Sequence, residues 1–190
     1  MSNDEIYVSI ELGGETLPVG KLWFHQRGAK QSTSFEYDRN WLINPHHFAL
    51  EPALQATKGA FHTNAEQVLF GSIGDSAPDR WGRVLMRRAE SARAKESVET
   101  TRTLSELDYL LGVSDEIRQG ALRFSLNPDG PYLSNSKNSV PPLIELPRLL
   151  SATERYLDDE ETAEDLKILL APGSSLGGAR PKASVLDREG

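Results

Sequence analysis

The 190-residue chain contains no cysteine, and no apolar run approaches the roughly 18 residues that a membrane-spanning helix requires. The absence of cysteine excludes thiolate catalysis, cysteine-ligated zinc and a disulfide framework together. A chain of this length buries a substantial core without such staples. Positive charge is also in deficit, with 21 Lys+Arg against 28 Asp+Glu and a net charge of −7, which argues against wholesale coating of nucleic acid. The start, Met1-Ser2-Asn3-Asp4-Glu5, is acidic and lacks the basic flank and apolar stretch of a signal peptide. A cytoplasmic protein from a reducing compartment is therefore expected.

The charge that is present is uneven. Arg80 to Arg102 holds seven basic and three acidic residues, a local charge of +4, whereas Ser151 to Leu170 holds seven acidic and two basic residues, a local charge of −5. Such asymmetry either steers a partner or marks two solvated helix faces.

Residues 5–12 alternate apolar and polar and read as a half-buried strand, closed by the turn Gly13-Gly14. Strands at Val19–His25 and Ser34–Tyr37 follow, with Trp41-Leu42-Ile43 packing beneath the third. Short strands so closely spaced imply a small antiparallel sheet or barrel. Residues 46–65 read mostly as loop; His46, His47 and His62 fit no metal-ligand spacing and read as ordinary histidines. Ser76-Ala77-Pro78-Asp79 has a capping-box pattern and opens a helix that buries Trp81 and Leu85. A second helix over 104–111 is opened by Thr103-x-x-Glu106 and stopped by Gly112, and Gly120–Leu126 returns to strand alternation. Asn127–Pro142 reads as a linker, before helical pieces at Glu145–Leu157 and Ala163–Leu170. The fold class is α+β.

The chemistry-bearing segment is Pro172-Gly173-Ser174-Ser175-Leu176-Gly177-Gly178-Ala179-Arg180-Pro181-Lys182. Glycine brings backbone N–H groups close to a phosphate, serine adds donors, and Arg or Lys supplies countercharge. Gly173 and Gly178 have Walker A separation, but Ala179 stands where the lysine must be. On the residues alone, a phosphate cradle and a flexible Gly/Ser connector both remain open.

Gly173–Ala183 resembles the glycine-rich loop of the HipA-type serine/threonine kinases, bacterial toxin kinases of toxin–antitoxin modules. Three further stretches agree in order: Phe35-Glu36-Tyr37-Asp38 with Trp41-Leu42, then Gly74–Arg83, then Gly120-Ala121-Leu122-Arg123-Phe124. The resemblance implies a β-rich accessory subdomain over 1–126 and a linker over 127–142. A protein-kinase-like core would begin within 143–190. It implies nucleotide contacts at Gly177, Gly178, Ala179, Arg180, Pro181 and Lys182. It also implies regulatory autophosphorylation at Ser175, with Ser174 as its neighbour; the added charge would repel ATP phosphates. ATP and Mg2+ are the implied cofactors of the parent kinase, with none held tightly by this fragment. A helix-turn-helix antitoxin, and operator DNA through it, are the implied partners.

In the family, the catalytic Asp and the metal-binding residues lie beyond the glycine-rich loop, and no internal segment substitutes for them, so no catalytic or metal-ligating residue is assigned here. The chain reads as the N-terminal part of a kinase, inactive alone. The alternative is a non-catalytic module that binds a separate core kinase or antitoxin. Direct DNA contact through the basic 80–102 segment is a third and secondary possibility.

Overall fold

The computed structural model describes residues 3–64, 66–128, 130–133, 145–173, 178 and 180–182. The chain forms two compact units, one of Met1–Ser76 with Gln119–Leu133 and one of Ala77–Arg118 with Ser134–Gly190. A linear division of the sequence does not express this grouping, because residues 77–118 belong with the C-terminal helices.

The first unit is a five-stranded antiparallel sheet of β1 (Asn3–Leu12), β2 (Glu15–Arg27), β3 (Lys30–Tyr37), β4 (Ala60–His62) and β5 (Leu122–Ser125), in the order β4-β3-β2-β1-β5. Alternation along the strands decides the register. Ile6 lies opposite Leu22, and Leu22 opposite Phe35, so one fully buried apolar row crosses three strands. Each such side chain contributes about 2 kcal/mol by leaving water. Gly13 and Gly14 hold φ +60° and +87°, the left-handed pair that a tight hairpin needs. The β1–β2 register shifts between Val8 and Ser9, opposite Pro18, which has no N–H to give to a ladder.

Helix α1 (Arg39–Ile43) is capped by Asp38, and it buries Trp41 while leaving Ile43 76% exposed. Of the Trp41-Leu42-Ile43 run expected to pack beneath the third strand, the tryptophan is buried, Leu42 is half-buried and Ile43 is exposed. Tyr37 ties the following loop down, donating to the Leu54 carbonyl at 2.6 Å and accepting from Leu50 N at 2.9 Å. Strand β4 lies in a stretch that reads as loop, because three residues are too few to show a period. A short helix α2 (Gly71–Gly74) completes this unit.

The second unit is helical. Helix α3 (Arg80–Glu96) buries Trp81 and Leu85, as their spacing requires, in a cluster with Ala152, Leu166 and Leu169. Its N-cap is Asp79, whose Oδ1 accepts from Gly82 N at 2.8 Å, and not Ser76 as the capping-box pattern suggested. Pro78 explains the correction: the residue before a proline is pushed out of the helical region, so no helix runs through Ala77.

Helix α4 (Glu106–Leu111) has a capping box of Ser105 and Asp108, two residues on from the expected Thr103 and Glu106 pair. Gly112 ends it at φ −76°, so its value is space: a Cβ there would stand 2.9 Å from the Asp108 carbonyl oxygen and would run into the Met86 side chain. A 3-10 turn, Asp115–Ile117, follows. Helices α5 (Leu146–Leu157) and α6 (Ala163–Gly173) fall close to their expected spans. Residues 134–144, most of the expected linker, lie outside the described residues. No helix among the described residues is long and apolar enough to cross a membrane.

Candidate functional site at the glycine-rich segment

Helix α6 carries the chain to Gly173, where the glycine-rich segment begins. Of the expected site residues, Gly178, Arg180, Pro181 and Lys182 are described; Ser174, Ser175, Gly177 and Ala179 lie outside the described residues. Gly178 adopts φ +109°, a conformation that side-chain-bearing residues rarely accept. Its carbonyl accepts a hydrogen bond from Trp81 N at 3.1 Å. Lys182 Nζ stands 3.4 Å from Asp79 Oδ2, with the two side chains only 23% and 12% exposed. The ammonium lies so close over Gly178 that a Cβ there would be 2.9 Å from it. Arg180 is exposed.

The glycine-rich segment therefore meets the first turn of α3. A helix leaves its first four N–H groups without intrahelical partners. Here the Asp79 side chain takes Gly82 N and the Gly178 carbonyl takes Trp81 N. Those two amides are committed to the protein, and the cations that an incoming anion would meet are Arg180 and Lys182. Sequence reasoning missed Asp79 and Trp81 as partners of this segment. Asp79 does carry a local signal, since Asp directly before a helix is a strong N-cap; its reach to Lys182 has none.

The basic stretch on α3 and after it is largely neutralised inside its own unit. Arg83 forms a bidentate pair with Glu106 at 2.7 Å on both branches, and Arg88 pairs with Asp159 and Glu161. Arg88 also stacks on the Tyr156 ring at 4.2 Å. Arg93 and Arg102 share the buried Glu90, and the Arg93 guanidinium holds that carboxyl below its ordinary range. A hollow of about 620 Å³ runs beside Arg87, Ser91 and Lys95, with Glu96 and Glu161 on its walls. Its mixed signs mark no single ligand class. Among the described residues, no group of three or more His, Asp or Glu is arranged to hold a metal ion.

No curated protein and no solved structure matches the chain at a significant level. A family model does match: that of the HipA N-terminal domain, over residues 13–124. The matched span takes in β2 to β4 and all but the last residue of β5, together with α3 and α4, including the Phe35–Asp38, Gly74–Arg83 and Gly120–Phe124 stretches. With more than half of its length inside that match, the chain belongs to the HipA N-terminal domain family.

Proposed function

We propose that the chain is the N-terminal part of an ATP-dependent serine/threonine kinase of HipA type, in which Gly177–Lys182 lies over the ATP phosphates. The observation that carries this reading is the juxtaposition at Gly178. A residue without a side chain, held at positive φ, has the Lys182 ammonium against it and the exposed Arg180 two positions away. Two cations beside a backbone that carries no side chain suit a polyphosphate. Bound ATP supplies the phosphoryl group for transfer; what this chain adds is charge and a close-approaching backbone. The described residues hold no acidic cluster for Mg2+, and no role toward it is derived for them.

Autophosphorylation at Ser175, with Ser174 beside it in sequence, fits the same reading, because negative charge added to the same glycine-rich stretch opposes phosphate binding. A helix-turn-helix antitoxin, with operator DNA through it, is the corresponding partner in a toxin–antitoxin setting. A purely regulatory module would share the family match, but it would leave residues 173–183 without a role.

The test is amide chemical-shift mapping of the 190-residue chain titrated with ATP. Weak binding that shifts amides of residues 177–182, and that is lost in Lys182→Gln combined with Arg180→Gln, is expected. No shift there at millimolar ATP overturns the nucleotide reading. The chain alone should release no ADP, and turnover would refute its assignment as catalytically incomplete. In the active kinase, Ser175→Ala should abolish loop phosphorylation; phosphate persisting on Ser174 would move the site by one residue.

A further inference from the structure

We infer that Asp79 is a latch for the glycine-rich segment: its carboxylate competes with an incoming phosphate for Lys182, so that anion binding and release of the segment from α3 are one event. The inference rests on the phosphate-loop reading for its ligand, though not for its geometry. Asp79 divides its two oxygens between two tasks. Oδ1 caps α3 through Gly82 N at 2.8 Å, and Oδ2 faces Lys182 Nζ at 3.4 Å. One residue beyond the first helical position, Trp81 N holds the Gly178 carbonyl at 3.1 Å. Contacts at Gly178 and Lys182, four residues apart in sequence, one through the backbone and one ionic, thus tie the segment to the first turn of a 17-residue helix.

This arrangement has a chemical consequence. Lys182 is the cation nearest the side-chain-free backbone at Gly178, yet in this state it already has a half-buried carboxylate beside it. A phosphate must draw the ammonium away from Asp79, and a single negative charge gains little over the carboxylate it replaces. A polyphosphate gains more, because it presents several charges to Lys182 and Arg180 at once. If Lys182 is held by Asp79 for about 70–90% of the time, apparent affinity falls about three- to tenfold relative to an unlatched segment. Asp79 is then a positioning residue acting through Lys182, set 103 residues before it in sequence.

The decisive variant is Asp79→Asn. Asparagine still accepts from Gly82 N and caps the helix, so it removes the charge and retains the structural role. Asp79→Ser serves as a second cap-preserving variant should the first fold poorly, and Asp79→Ala removes both roles. Two readouts are taken on the full 190-residue chain: affinity for inorganic triphosphate and ATP, and hydrogen exchange at the Trp81 amide. The latch requires Asp79→Asn to bind both probes three- to tenfold more tightly and to exchange Trp81 severalfold faster, with thermal stability near that of the unsubstituted chain. Lys182→Gln should speed the same exchange while weakening the probes. If Asp79 serves only as a cap, Asp79→Asn moves neither readout, and the latch is overturned. Faster exchange with no binding of either probe by any variant would uphold the latch and remove the phosphate reading. Binding by the unsubstituted chain with an unmoved Asp79→Asn would do the reverse.

Discussion

Arg118 and Asp165 show how single charged groups are held in the helical unit. The Arg118 side chain is fully buried; it donates to Leu110 O at 3.0 Å, Val113 O at 2.6 Å and Asp115 Oδ1 at 3.0 Å. Its planar fork ties the carbonyl end of α4 to the 3-10 turn, geometry that a lysine cannot reproduce. Asp165 is buried and accepts from Thr162 N, Thr162 Oγ1 and the Nε and Nη2 of Arg155. The Arg155 guanidinium, helped by the Thr162 donors, holds its carboxyl well below the usual carboxylate range. A group whose folded value is lowered stabilises the fold fully above its unfolded value, near pH 4, and loses that contribution as pH falls through the folded value. Urea denaturation between pH 7 and pH 2 should show this loss. Asp165→Asn should cost about 2 kcal/mol at pH 7 and flatten the acid limb. An unchanged acid limb would assign the acid sensitivity to other carboxylates. Glu5, lowered to about 2 by Lys21 at 2.8 Å, is more than a third exposed, so solvent screening keeps its contribution below about 1 kcal/mol.

At the scale of elements, α3, α5 and α6 share one core, with Leu85 fully buried and the Trp81 and Tyr156 rings edge to face at 4.8 Å. Leu85→Ala removes three heavy atoms there, and it should cost about 3 kcal/mol as transfer and cavity terms combine. A lowered urea midpoint at unchanged slope is the expected signature; a change below about 1 kcal/mol would mean that the neighbours collapse into the space. These helices were legible from sequence because a 3.6-residue period is local, and Trp81 and Leu85 carry it in α3. Their starts were less legible. Ser76 and Thr103 satisfy the same local pattern as the caps that are used, Asp79 and Ser105, and only the full geometry selects among them. Strand β4 was illegible for a different reason: it exists because β3 offers it an edge.

For the whole molecule, the net −7 conceals a +4 segment in which four of the six arginines, Arg83, Arg88, Arg93 and Arg102, face carboxylates of their own unit. Those pairs leave little free positive charge to release counterions from DNA. Fluorescence anisotropy with a DNA duplex at low salt should therefore detect no binding by the chain alone. Binding that weakens steeply with added salt would show the arginines exchanging their carboxylates for phosphates.

The sequence by itself determined the α+β class, the hairpin at Gly13-Gly14, most helix spans and the resemblance that the family match bears out. The class, the hairpin and the helix spans follow from spacing within a turn or a strand, where neighbours in sequence are neighbours in space, and the resemblance rests on motifs that keep their order along the chain. Only tertiary structure decided that 77–118 joins the C-terminal helices, that Arg118 is buried, and that Lys182 meets Asp79. Each depends on groups brought together by packing, and no local period records which distant carboxylate or carbonyl a cation will find.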